Sequence, residues 1–436
     1  MTTDTIYGCL APARSGLQLG HRARRRLMLL AVVAGPGVLT MLGENDGPSM
    51  LSYVTTGALC GIGVFVPFIL VTFAMAYVVQ EATIRIGLAT HRGHADLIFS
   101  RFGHGWGYFA MVELAIGNVL TLVTEFIAIR SGAAFLGVPA PIAVFGSVGI
   151  IAAAFATRRY FTWERFALLL AAGNIVFIPV ALAAHPDPHA FARAFSFGQQ
   201  LPAGNGAMFL TLILANVGAT VTPWMIFFQQ SAVTDKGLTQ CDLSRARLDT
   251  GIGAAVAASV AIAAVATGAV LFAHHANVSA LNGGADFATA LRPYIGAAMA
   301  HLFALGMIEA GLIAAVTISA SSAYAAGEVL RGGSSLNLPF SKARAFYAAG
   351  LLSIAIAAAV VLVPHAPLLT ITLLVNVLAT LLMAPALLFV LLLANDRELL
   401  GRLANGALAN TLGGAVMAVI VLLSAAYGVI VVFPHL

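Results

Sequence analysis

Residues Gly35 to Tyr53 read GPGVLTMLGENDGPSMLSY. An apolar run from Leu27 to Leu42 leads into Gly43-Glu44-Asn45-Asp46-Gly47-Pro48-Ser49, at a depth where a bilayer holds no water. Two carboxylates and a Gly-Pro pair cannot face lipid there. Backbone freed by a helix break costs several kcal/mol per unsatisfied group unless it lines a protein cavity, and a charge at that depth costs roughly 2.5 to 3.5 kcal/mol on insertion scales. The sequence therefore predicts a broken helix lining a cation site near the bilayer midplane.

Composition agrees with a bilayer setting. Of the 436 residues 60% are hydrophobic and 9% charged, against about 25% charged in soluble proteins. Apolar segments long enough to span are expected at 27–58 (the broken one), 61–84, 105–129, 135–156, 164–184, 206–233, 250–274, 298–327, 345–363, 367–394 and 408–433. With a cytoplasmic N-terminus, the inside loops hold 19 of the 22 basic residues and leave Arg130, Arg193 and Arg292 outside. That bias supports both the segment count and the sidedness. The net charge of +5 is then a topology signal, and a nucleic-acid partner is not indicated. Cys9, Cys60 and Cys241 have no metal-ligand spacing and imply no disulfide framework. The first apolar run follows a basic segment as a signal peptide would, but it lacks a convincing cleavage site and reads as retained.

Residues 1–26 read as a basic cytoplasmic tail. Segment three carries Glu113, Asn118, Glu125 and Arg130. Glu125 and Arg130 lie five positions apart, about 140° round a helix, and are not expected to pair directly. Segment six repeats the opening device: it runs apolar, meets Asn216-Val217-Gly218-Ala219-Thr220-Val221-Thr222-Pro223-Trp224, and resumes. Two interrupted helices, each the first of a five-helix set, point to an inverted-repeat transporter. The repeats would be 27–184 and 206–394, with 408–433 an added C-terminal helix. Glu309 and Asn376 lie within segments eight and ten; His274, His275 and His301 read as interfacial or structural.

These residues resemble the NRAMP family of divalent-metal transporters, and the likeness spans most of the chain. The matching stretches are Gly35-Pro36-Gly37 followed nine residues later by Asp46 in D-G-P-S, the block GATVTPWM from Gly218 to Met225, and the ending QEATIRIGLATHRGHADL of segment two. The resemblance implies a LeuT-type fold. It also implies metal ligands at Asp46, Ser49, the carbonyl of Ala219 and Thr222, with Asn376 joining in some states. Where the family has a Met, Thr222 removes the one soft ligand, which favours transition metals over hard cations. An all-oxygen set suits Mg2+, and the pattern resembles the NRAMP-related magnesium transporter branch. The family's sixth-helix His is Trp224 here and its third-helix Asp falls at Leu122. Glu125 keeps its third-helix Glu. The implied proton route is weakened unless Glu44, Glu125 or Glu309 substitutes.

Several of these residues have a second reading. Asp46 could cap the half-helix that starts near Pro48. Glu44 could tune the potential from the outer vestibule or, sharing a cavity with Asp46, serve as a proton site. Ser49 and Thr222 could allow close helix packing, and Trp224 could pack or gate behind the site. Glu309 could pair with Arg130 or another buried partner. The expected function is a secondary transporter moving Mg2+, then Mn2+, by alternating access, with unwound carbonyls near Gly43 and Ala219 completing the shell. The same fold could instead carry a small organic amine or amino acid bound through Asp46. No HExxH, no Ser-His arrangement within the apolar segments and no cofactor motif supports an enzyme. The expected setting is a bacterial inner membrane, with lipid and the divalent ion as partners and a monomer sufficient.

Overall fold

A computed structural model of the protein describes residues 35–196, 206–330, 333–363 and 367–432. The basic tail 1–26, Cys9 and the first part of segment one, 27–34, lie outside the described residues. Among those described, every regular element is helical. In chain order they are α1 Pro36–Gly43, α2 Gly47–Cys60, α3 Phe65–Thr90, α4 His94–Phe102, α5 His104–Phe135, α6 Ala140–Ala156, α7 Tyr160–Ala171, α8 Phe177–Ala183, α9 Pro188–Ala194, α10 Gly206–Gly218, α11 Pro223–Asp235, α12 Leu243–Ala273, α13 Gly284–Val329, α14 Arg344–Val361, α15 Leu368–Ala394, α16 Arg397–Leu400 and α17 Ala407–Val432.

Nine helical stretches among the described residues are long and apolar enough to cross a membrane. The remaining two expected segments are the broken pair α1–α2 and the 17-residue α6. Both interrupted segments resume in the same way. Pro48 and Pro223 fall in the first turns of α2 and α11, where the N–H that proline lacks has no intrahelical partner anyway. Segment eight departs from expectation: α13 starts at Gly284, but Gly296 has φ 82°, so an outer arm is set off from the span itself. Span five is α7 and α8 joined by the 3-10 turn Ala172–Val176.

The core forms where small residues let backbones touch. A Cβ on Gly57 would lie 2.0 Å from the Val265 carbonyl oxygen, and one on Gly268 would lie 2.0 Å from that of Val54, so α2 and α12 meet at van der Waals distance. Without a strong hydrophobic drive between helices in lipid, such close packing supplies much of their cohesion.

The basic loops gather at one end. Arg85 donates to the Leu403 carbonyl and to Asn405 Oδ1, both at 2.7 Å. Arg101 pairs with Asp396 and Glu398, Lys236 with Glu164 at 2.8 Å, and the Tyr160 amide donates to Asn337. These bonds join the loop after span two to that after span ten, and the start of span five to the loops after spans six and eight. At this end α4 docks by its N-terminus: the Ala95 and Asp96 amides donate to Glu328. His94 sits beneath, bonded to Gln230, and burial pushes its imidazole down to about 4. At the opposite end a cavity of about 690 Å3 is lined by Gly61, His185, Asp187 and His274 among others. His274 and His301 are exposed, as interfacial residues would be. Cys60 is a free thiol.

Candidate functional site

The first break begins where α1 runs out of partners. The Asn45 amide turns back to the Leu42 carbonyl, and Asp46 is extended (φ −75°, ψ 174°) and N-caps α2 by accepting from the Ser49 amide at 2.7 Å. The capping role considered for Asp46 is thus real, but it accounts for only one of the acidic groups gathered here. Glu125, from α5, accepts from the Gly47 amide at 3.1 Å. Asn174, in the 3-10 turn of span five, donates to the Leu42 carbonyl at 3.2 Å. The N-terminus of α1 is held by Asp249, whose carboxylate accepts from the Gly35 amide at 2.9 Å and the Gly37 amide at 2.8 Å. Orphan amides at helix starts and orphan carbonyls at helix ends are met by side chains from three other spans.

The second break ends α10 at Gly218. Val221 folds back to the Val217 carbonyl, and Thr222 is extended (φ −120°, ψ 151°) ahead of α11. Its hydroxyl donates to Glu44 Oε1 at 2.5 Å. Tyr53 OH, one turn beyond Ser49 on α2, donates to the Ala219 carbonyl at 3.1 Å. The two breaks therefore touch through oxygen atoms. Glu44 is fully buried, Asp46 is 2% exposed and Thr222 3%. Glu44 Oε2, Ser49 Oγ and Glu125 Oε1 are buried without a hydrogen-bond partner among the described residues. Besides accepting from the Ser49 amide, the Asp46 carboxylate lies next to the side chains of Ser49 and Glu125. Buried polar groups left unpaired cost about 1–3 kcal/mol each, and three such atoms share this neighbourhood.

The donors are oxygens from mixed groups. Among the described residues no set of three or more His, Cys, Asp or Glu is arranged to hold a metal, so a cation here would need hydroxyls, carbonyls and water besides the carboxylates. A cavity of about 10 Å3, bordered by Asn118, Thr121, Trp224 and Val375, reaches Thr222 from between α5 and α15. That is about the room one water needs.

The structure thus brings Glu44, Asp46, Ser49, Glu125, Ala219 and Thr222 into one neighbourhood. Glu44 does not face away toward a vestibule: it forms the direct bond to the second break. Gly43 lies beneath Trp224, whose Cη2 would be 3.1 Å from a Cβ placed there, which agrees with a packing role for the indole. Asn376 stands beside the second break, its carbonyl pressed against Gly218, but its side chain donates to Ser52. Glu309 is elsewhere. It packs on Gly173, both its oxygens lack a hydrogen-bond partner among the described residues, and Arg130 donates instead to the Val361 carbonyl at 2.6 Å, so the considered pairing of Glu309 with Arg130 does not form. Glu125 and Arg130 go separate ways, as their spacing required. Sequence reasoning missed Tyr53, Asn174 and Asp249. Each is a polar group in or at the edge of an apolar segment, which is a detectable signal, but nothing local says what it will meet.

Comparison with known proteins places this geometry. A family model described as natural resistance-associated macrophage protein-like (Nramp) matches residues 37–429. The divalent metal cation transporter MntH of Pectobacterium carotovorum is 24% identical over 318 residues, covering 70% of this chain and 74% of that one. A crystal structure of the Eremococcus coleocola manganese transporter, in complex with an aromatic bis-isothiourea substituted compound, superposes with a TM-score of 0.74 at 18% identity, over 94% of this chain and 87% of that one. MhsT in complex with L-phenylalanine superposes with a TM-score of 0.57 at 13% identity, over 90% and 97%. At such identities the likeness speaks for the fold, and the all-helical LeuT-type architecture expected from the sequence is the one found.

Proposed function

The chain belongs to the Nramp family, and on that footing we propose that it is a secondary transporter carrying a divalent metal cation, with the Glu44–Asp46 break as the binding site. The observation that carries this reading is the 2.5 Å bond from Thr222 to Glu44 across two helix breaks, in a buried pocket with unpartnered carboxylate and hydroxyl oxygens around it. Relatives named as divalent metal cation transporters support the same class of substrate. The chain has no enzymatic role in this reading, and the ion is cargo.

Mg2+ is the favoured ion and Mn2+ the second. Thr222 supplies a hydroxyl that keeps a lone pair for a cation while donating its proton to Glu44. Together with Asp46, Ser49 and the Ala219 carbonyl this is a hard donor set, suited to an ion that retains several waters. An oxygen-only set also disfavours Zn2+ and Cu+. The mutual repulsion of Glu44 and Asp46 falls when a dication lies between them, so the charge that destabilises the empty pocket is the charge that offsets dehydration of the ion. The narrow space at Thr222 favours an ion over an amino acid, and competition by millimolar Mg2+ in a binding assay separates those substrates.

Alternating access would come from the half-helices. At the basic-loop end α1 is latched by Asp249 and by the hydrogen bond from Thr40 to Gln229 on α11. At the other end α2 is tied to α10 by the bond from Asn216 to Thr56 at 2.8 Å. Opening one side requires releasing one set while the other holds. We place the basic-loop end in the cytoplasm, of a bacterial inner membrane, and take 27–184 and 206–394 as the two inverted repeats with 408–433 added to them.

Uptake into proteoliposomes tests the site: Asp46→Ala abolishes Mg2+ and Mn2+ transport while the protein remains folded, and retained transport removes the assignment. Thr222→Met raises the preference for Mn2+ or Cd2+ over Mg2+; an unchanged preference removes Thr222 from the ligand set.

A further inference from the structure

The added helix α17 leans against α15 and α3 without sealing the joint. Gly413 lets it approach Leu391, where a Cβ would meet a methyl carbon at 2.6 Å, but below that contact a cavity of about 410 Å3 opens between the three helices. Its volume falls in the ligand-pocket range, roughly 300–1,000 Å3. Its walls are of two kinds. Val78, Leu387, Val390, Leu408 and Leu412 form an apolar body, while Glu81, Arg85, Arg247 and Asn405 form a polar mouth at the basic-loop end of the molecule. An apolar cavity of this kind is a poor host for water, and it lies on the lipid-facing flank, where α17 buries only 17% of its spanning window.

The mouth carries unspent positive charge. Arg85 is fully committed: Nε to Glu81 at 2.9 Å, Nη1 to the Leu403 carbonyl and Nη2 to Asn405. Arg247 uses Nε and Nη2 on the same Glu81 oxygen, at 2.9 and 2.5 Å. Its Nη1 makes no bond among the described residues, and its side chain is 44% exposed. One carboxylate thus answers two guanidiniums, leaving a net positive charge and a pair of free N–H donors beside an oily cleft.

We infer that this cavity binds an anionic phospholipid, with an acyl chain along Leu387, Val390, Leu408 and Leu412 and the phosphate on Arg247. The match is amphipathic: a guanidinium suits phosphate through charge-assisted hydrogen bonds, and basic pockets between spanning helices on the cytoplasmic side take anionic headgroups. This inference rests on the membrane setting and the sidedness taken above, but not on which ion is carried.

The test uses the full-length protein in detergent, with phosphatidylglycerol or phosphatidylcholine added and bound lipid read by native mass spectrometry. Phosphatidylglycerol should be retained in preference to phosphatidylcholine by about fivefold, the contribution of one basic residue near an anionic surface. Arg247→Gln should erase that preference, Arg247→Lys should keep most of it, and Leu412→Trp, which fills the cleft, should lower retention of both lipids. Arg245, 71% exposed and not in the cavity wall, is the control, and Arg245→Gln should change nothing. Equal retention of the two lipids by the unaltered protein overturns the inference, as does a loss with Arg245→Gln equal to that with Arg247→Gln. If Arg247→Gln fails to fold, Leu412→Trp alone decides, and unchanged lipid retention then counts against the site. Metal uptake by the unaltered protein is measured separately, so failure of the lipid site and failure of the transport reading are told apart.

Discussion

The first break carries Glu44, Asn45 and Asp46 in succession, whereas the second, from Ala219 to Thr222, has no ionisable side chain. They also hold their shape differently. Around the first, the loose backbone ends are met by side chains from other spans: Asp249 at the start of α1, Asn174 at its end, Glu125 at the start of α2. The second is held by its own backbone turns, by close contact and by one neutral side-chain bond, from Tyr53 to the Ala219 carbonyl. A Cβ on Gly218 would sit 1.8 Å from the Asn376 carbonyl oxygen, and Thr222 has no side-chain cap. What the difference teaches is a division of labour. One break supplies charge and must be braced against it, because carboxylates in a low-dielectric setting repel each other strongly. The other supplies neutral oxygens and fit, and can rely on packing.

Substitutions at the contact between the breaks test that division. The largest effect is expected from Glu44→Gln, which keeps the shape but removes charge from the first break. Because a hydrogen bond to a charged group contributes about 1.5–3 kcal/mol and tenfold corresponds to ~1.4 kcal/mol, metal uptake should fall more than tenfold with folded yield unchanged. Normal uptake would mean that Asp46 alone carries the charge. Next comes Thr222→Val, which leaves Glu44 Oε1 unpaired from the neutral side. Melting temperature and uptake should both drop, and Thr222→Ser should restore most of each. If Val behaves like Thr, the second break contributes packing alone. The smallest effect is expected from Tyr53→Phe, which removes a neutral bond to the Ala219 carbonyl worth ~1 kcal/mol. The half-saturating ion concentration should change by about fivefold or less, and a loss as large as that of Glu44→Gln would erase the proposed asymmetry.

Much of the fold was legible because bilayer constraints act on local sequence. Long apolar segments and the bias of basic residues marked the spans, and Gly-Pro or Thr-Pro flanked by polar residues marked the two interruptions, now seen at Gly43–Gly47 and Gly218–Pro223. Less legible was anything set by helix rotation. Glu44, two residues from Asp46, could have faced elsewhere, and Glu309 was open to a partner in Arg130 that it does not meet. The outer arm of α13 was also missed, since the turn at Gly296 looks like any glycine in an apolar run.

By itself, then, the sequence determined where helices must exist and where they must stop, because a bilayer penalises each unsatisfied polar group wherever it falls along the chain. The tertiary structure alone decided which oxygens meet: Glu44 with Thr222 and Tyr53 with the Ala219 carbonyl, across separations of 178 and 166 residues. Such meetings depend on how each helix is turned about its axis, and that angle is set by the close packing of small residues on several neighbours at once.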